Sequence, residues 1–241
     1  PAPCRRARAT ADKRTPGPRP ASQPLADDAQ PALGRQPRRY RVSIGRWQIV
    51  LTGAAELGAN LTGHRSRTDE GDNQLAPLGG QLWPASVMLA EHILADEPGN
   101  GRPAIEIGCG LALPAIVAAL LGWRVTITDA DPRVLELAAR NARRNGANIH
   151  RIRRLDWTRP NEYRRFERIF ASDVLYQPRN YRHIIRLITD LLARHGVAVL
   201  AEPNRRGLWR FVSMLRRVGL RCVTFPASTT CPLGRRTDGT I

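Results

Sequence analysis

The chain has 241 residues, a formal charge of +17, and 42% hydrophobic residues. That length can bury a full core and accommodates one domain plus extensions. No apolar run reaches the ~18 residues of a membrane helix, and no signal-peptide core is visible, so the expectation is a cytoplasmic protein without a membrane span.

Lys13 is the only lysine, and arginine carries the rest of the positive charge. A GC-rich genome produces that bias as readily as a polyanion-binding surface, so nucleic acid stays open as a partner without being favoured. Cys4, Cys109, Cys222 and Cys231 form no C-x-x-C pair. They read as free thiols, with no metal site.

Residues 1–40 are rich in Pro, Ala and Arg and carry nine basic against three acidic groups. Such a segment cannot bury enough apolar surface to offset its ordering entropy, so disorder is predicted there. From residue 41 to 241 the pattern is that of a folded domain. Arg46–Leu51 reads as a strand of a hairpin, and His64–Asn73 reads as a polar loop. Trp83–Leu94 follows as an amphipathic helix with Pro84 in its first turn. Strand 104–107, helix 114–121 and strand 124–128 come next. Helix 132–145 has Asp131 as N-cap, Pro132 at its first position and Gly146 as its stop. Further strands are predicted at 149–154, 168–172, 196–201 and 220–225, with helices near 179–194 and 205–217. Strands alternating with helical stretches of 10–15 residues make an α/β fold: a doubly wound, mostly parallel sheet with helices on both faces.

Ligands in such sheets bind beyond the carboxyl ends of the strands. The first of these exits is Glu106-Ile-Gly-Cys-Gly110, where Gly108 and Gly110 admit close backbone approach. Asp129 ends the next strand, 21 residues after Gly108. That is about the ~20-residue spacing at which a second-strand acid meets a ribose hydroxyl, so an adenosine-containing cofactor is expected. Leu113 stands where a dinucleotide fingerprint needs a third small residue, which disfavours a pyrophosphate. Glu106 instead suits a cofactor with a cationic amino-acid end, as in S-adenosylmethionine. The later exits carry Leu155-Asp156-Trp157, Ala171-Ser-Asp-Val-Leu-Tyr176 and Glu202-Pro-Asn204. Trp157 is placed to stack on an adenine or to cover a core edge.

In this order the motifs resemble the class I, seven-strand S-adenosylmethionine-dependent methyltransferases. They are most similar to the methyltransferase-like protein-lysine methyltransferases, which carry D-x-x-Y after the fourth strand. The resemblance spans roughly residues 75–225 and includes Leu82-Trp-Pro-Ala-Ser86. It implies a cofactor site formed by Trp83, Glu106, Gly108, Cys109, Gly110, Asp129, Asp156, Trp157 and Ser172. Asp173 and Tyr176 match the D-x-x-Y pair beside the acceptor amine, although Asp173 also fits a plain turn cap. Ala112 replaces a glycine common in the loop. The family's seventh, antiparallel strand would begin near Thr240-Ile241, so a missing last strand is expected.

The function implied is methyl transfer from S-adenosylmethionine to a protein lysine by a monomeric enzyme. A small-molecule amine N-methyltransferase is the alternative, and a non-catalytic RNA- or protein-binding module is a third reading. Ser172-Asp-Val-Leu-Tyr176 lacks the two prolines usual in nucleic-acid amino methyltransferases.

Overall fold

A computed structural model describes residues 37–54, 78–162, 164–230 and 236–241. All of these lie in the unit Arg35–Ile241. Residues 1–36 of the predicted disordered segment, and the loop predicted at 64–73, fall outside the described residues. Arg39 and Tyr40, the last residues of that 40-residue segment, open the first strand.

Five strands form a parallel sheet: β3 (Pro103–Ile107), β4 (Arg124–Asp129), β5 (Arg151–Arg154), β6 (Phe166–Ser172) and β7 (Leu192–Ala201), in the order β5-β4-β3-β6-β7. The chain runs outward from β3 through β4 to β5, then returns to the other side of β3 as β6. Winding therefore reverses between β3 and β6, the switch point where sheets of this kind offer a ligand crevice beyond the carboxyl ends. On β3 only Pro103 is not fully buried. That is the pattern of a central parallel strand covered on both faces, where apolar residues need not alternate with polar ones.

One core layer gathers α1 (Pro84–Leu94), α2 (Leu113–Leu120) and α3 (Pro132–Arg144) with residues such as Ala104, Val125 and Ile127. The other packs α4 (Tyr181–Leu191) and α5 (Leu208–Arg217) against Ile105, Ile107 and Ile169. The caps follow the sequence signals. Asp131 Oδ1 accepts from the Arg133 amide at 2.9 Å, and Pro84 and Pro132 stand in the first turns of α1 and α3.

Two elements depart most from the sequence expectation. α4 stops at Leu191, where Leu192 turns extended (φ −74°, ψ 128°), and Arg165 Nη1 donates to the carbonyls of Thr189 and Leu192. The β-prone run 220–225 is not a strand. Pairing begins instead at β8 (Pro226–Thr230), opposite β9 (Arg236–Thr240). Strand formation needs a partner, and β-propensity alone does not say where the partner lies. β9 pairs with β8 in a separate two-stranded sheet, and among the described residues it touches the five-stranded sheet's end through one antiparallel bridge, Thr240 to Glu202 after β7.

The hairpin β1 (Arg39–Ile44) and β2 (Trp47–Thr52) packs with α3 through two side-chain amides. Asn141 Oδ1 accepts from the Thr52 amide at 2.8 Å, and its Nδ2 donates to the Thr52 and Leu111 carbonyls at 3.1 and 3.3 Å. One turn later, Asn145 makes the same two bonds to Val50, both at 2.9 Å. The pair completes the β2 edge as a strand would, and Asn141 adds the loop after β3. Truncation of the buried Asn141 leaves backbone groups of β2 unpaired, at about 1–3 kcal/mol for each group kept from water. Asn141→Ala should therefore lower the urea-unfolding free energy by about 2–4 kcal/mol, and an unchanged value would contradict this anchoring role.

Candidate active site

The loop after β3 turns on three residues with positive φ: Gly108 (67°), Gly110 (50°) and Ala112 (62°). Ala112 holds this left-handed conformation with a Cβ, at a cost of roughly 1 kcal/mol, in a fully buried position. Its amide donates to the Cys109 carbonyl at 2.7 Å, and the Cys109 amide donates to the Thr128 carbonyl at 2.9 Å. These bonds lock the loop onto the end of β4.

Glu106 lies completely buried on β3. Its Oε2 accepts from the Ala115 amide at 3.0 Å, in the first turn of α2, while its Oε1 is buried with no hydrogen-bond partner. Burial raises its pKa well above the carboxylate range, and the charge of Asp129 adds to the rise. Asp129 closes β4, accepting from the Gly110 amide at 3.2 Å (Oδ2) and the Asp131 amide at 3.2 Å (Oδ1). Burial also pushes its pKa up, and the amide bonds pull the other way. The Cys109 thiol is buried beside both acids and pushed well up, so it is an inert packing group.

Trp157, half-buried after β5, stands over the loop. A methyl at position 108 would meet its Cζ2 at 3.1 Å and Val174 Cγ1 at 3.4 Å. The Tyr176 ring lies 6.5 Å from that of Trp157, tilted by 56°. Burial raises the Tyr176 phenol, and the charges of Asp129 and Asp173 raise it further. The structure thus brings Gly108, Gly110, Asp129, Trp157, Asp173 and Tyr176 to one crevice.

Three other residues named from the sequence stand differently. Trp83 Nε1 donates to the Leu78 carbonyl at 2.9 Å, pinning the turn whose Gly79 carbonyl lies 3.4 Å from where a Cβ on Gly110 would stand. Asp156 is exposed, and its Oδ1 accepts from the amide and hydroxyl of Thr158, both at 2.8 Å. That oxygen is thereby committed to its own turn. Ser172 ends β6, half-buried, opposite Ala201 of β7.

Two residues that hold the turn after β6 were missed in the sequence. Asp173 adopts φ 55°, a strained backbone for a non-glycine residue. Arg205 holds its carboxylate through Nε (3.1 Å) and Nη2, both on Oδ1. Glu202 Oε1 accepts from the amides of Val174 (2.8 Å) and Leu175 (3.0 Å), while the Thr240 amide and carbonyl fix the Glu202 backbone. Glu202-Pro-Asn204 was visible as a strand exit, but no local pattern ties it to the turn after β6.

The residues present fit a cofactor of adenosine and amino acid. Gly108 and Gly110 keep the loop free of the Cβ atoms that would press on Trp157 and the Gly79 carbonyl, and Glu106 Oε1 is a buried oxygen without a hydrogen-bond partner. The described residues hold no cluster of metal-binding side chains. The model of a family described as lysine methyltransferase matches residues 68–217. The chain belongs to the lysine methyltransferase family. It is an S-adenosylmethionine-dependent methyltransferase.

Named relatives span three acceptor types. The histone-arginine methyltransferase METTL23 of Xenopus laevis is 27% identical over 180 residues, covering 67% of this chain and 75% of the relative. The protein N-lysine methyltransferase METTL21A of Xenopus tropicalis is 29% identical, covering 52% of this chain and 60% of the relative. The histidine protein methyltransferase 1 homolog of Dictyostelium discoideum is 30% identical, covering 52% of this chain and 43% of the relative.

Burial, together with the charge of Asp173, raises the Glu202 carboxyl from 4.5 to about 8. A carboxyl kept neutral in the fold and ionised in the unfolded chain supports stability below its unfolded value. That support is lost as pH climbs through the folded value, and each tenfold change in proton affinity corresponds to ~1.4 kcal/mol. The wild-type protein should lose more stability than Glu202→Gln between pH 6 and pH 8.5, by about 1–3 kcal/mol in urea titrations. Parallel losses in the two proteins would contradict the buried-acid assignment.

Proposed function

We propose that this family member methylates the side-chain amine of a lysine in a protein substrate. The observation that carries the reading is the meeting of Asp173 and Tyr176 with Trp157, Gly108 and Asp129 at the switch-point crevice. An anion and a phenol beside the cofactor cradle suit a cationic acceptor, and the family's description supports lysine. In this reading Asp129 takes the ribose hydroxyls, Trp157 covers the adenine, and Glu106 Oε1 is the buried acceptor available to the amino-acid end. Trp83 and Cys109 hold the loop in shape, and Ser172 borders it. Residues 41–241 form the catalytic domain, extended back to Arg39, and act as a cytoplasmic monomer.

When bound, S-adenosylmethionine supplies an electrophilic methyl group. What the chain adds is orientation, worth effective molarities of order 10⁵ M or more in well-aligned reactions. A lysine amine with pKa ~10.4 is neutral in about one molecule per thousand at pH 7. Asp173 and the Tyr176 hydroxyl would hold and align the ammonium nitrogen in the crevice while water takes its proton.

The test is transfer of labelled methyl from S-adenosylmethionine into lysate protein, followed by total hydrolysis of the labelled product. The expected label is methyl-lysine, sensitive to protease and not to nuclease. Methyl-arginine or methyl-histidine would replace the lysine reading, and label confined to small molecules would return the small-amine alternative. Asp173→Ala and Tyr176→Phe should bind S-adenosylhomocysteine within several-fold of wild type while transferring methyl on the order of 100-fold more slowly. Unchanged transfer by Asp173→Ala would remove the acceptor role.

A further inference from the structure

We propose that Arg205 occupies the acceptor's seat on Asp173, and that Glu202 Oε2 is the second seat to which it withdraws when an acceptor cation enters. The inference rests on the reading of Asp173 as the carboxylate that meets the acceptor.

Both nitrogens that Arg205 commits to Asp173 fall on the single oxygen Oδ1. The Asp173 side chain is only 8% exposed, whereas that of Arg205 is 38% exposed. The guanidinium is the partner that solvent, or an incoming side chain, reaches first. A carboxylate covered in this way takes a cation from outside only after its present one moves.

The destination is visible beside it. Glu202 Oε2 is buried without a hydrogen-bond partner, 3.9 Å from Arg205 Nε. It cannot drift, because Oε1 is committed to the Val174 and Leu175 amides and the backbone is bridged to Thr240. A shift of about 1 Å turns the 3.9 Å approach into a hydrogen bond of ordinary length. An isolated buried carboxyl oxygen is costly, so the fold gains on that side what it loses at Asp173. The exchange balances in charge: the acceptor ammonium pairs with Asp173, Arg205 pairs with Glu202, and any proton on Glu202 passes to water. Arg205 and Glu202 are thus positioning residues, setting how strongly an acceptor must bind to enter.

The test uses the full chain, labelled S-adenosylmethionine and lysate protein titrated as acceptor, with half-saturating protein concentration and maximal rate read separately. Removing the internal competitor in Arg205→Met should lower the half-saturating concentration about 3- to 30-fold with the maximal rate kept within several-fold. Glu202→Gln retains an amide oxygen for Val174 and Leu175 but offers no anionic seat, so half-saturation should rise by a similar factor. The neighbouring exposed Arg206→Met controls for lost surface charge and should change neither value. S-adenosylhomocysteine affinity, measured by calorimetry, confirms folding in each variant.

A rise in half-saturation or a collapse of maximal rate in Arg205→Met, with cofactor affinity intact, would overturn the proposal. So would unchanged half-saturation in Glu202→Gln. Absence of labelled protein with the wild-type chain would instead overturn the protein-acceptor reading itself, and this proposal with it.

Discussion

The constraint on which the rest of the structure depends is the burial of three carboxyl groups at strand ends, complete for Glu106 and Glu202 and partial for Asp129, each held by backbone amides of another segment. Glu106 on β3 receives the Ala115 amide of α2, and Asp129 on β4 receives the amides of Gly110 and Asp131. Glu202 after β7 receives those of Val174 and Leu175. Burial without such donors would cost each group several kcal/mol, so each acid fixes the path of the loop that satisfies it. The crevice at the winding reversal is shaped by these bonds as much as by the sheet beneath it.

Satisfaction is incomplete at two of these acids. Glu106 Oε1 and Glu202 Oε2 are buried without hydrogen-bond partners. The first lies within the central strand β3, and the second adjoins the Asp173–Arg205 ion pair. Asp173, in a backbone conformation that L-residues rarely adopt, stands beside the second. Groups so arranged are costly for stability and useful for binding, which is the usual balance at functional sites.

Much of this was legible in the chain because it is written in local chemistry. Gly108 and Gly110, the spacing to Asp129, and the Asp131-Pro132 start of α3 are short-range signals tied to single turns, and each stands where the sequence puts it. Trp157 and Tyr176 were readable as strand exits, since the fold class says where exits meet. What escaped the sequence depends on distant partners. Asn141 and Asn145 look like ordinary polar helix residues until β2, some 90 residues earlier, is laid against them. Arg205 is one of many arginines, and nothing near it in the chain marks it as the partner of Asp173. Asp156 shows the same limit: its motif position is visible in the chain, but the two bonds that Thr158 gives its Oδ1 are not.

The central claim is that the strand-end carboxylate of β4 holds the cofactor at the switch point, and calorimetric titration of Asp129→Ala with S-adenosylmethionine tests it most directly. Loss of an acceptor for hydrogen-bond donors in a partly buried site is worth about 1–3 kcal/mol, or roughly five- to hundred-fold in affinity. The account predicts weakening of that order in a variant whose circular dichroism matches wild type. Unchanged affinity in the folded variant would contradict it.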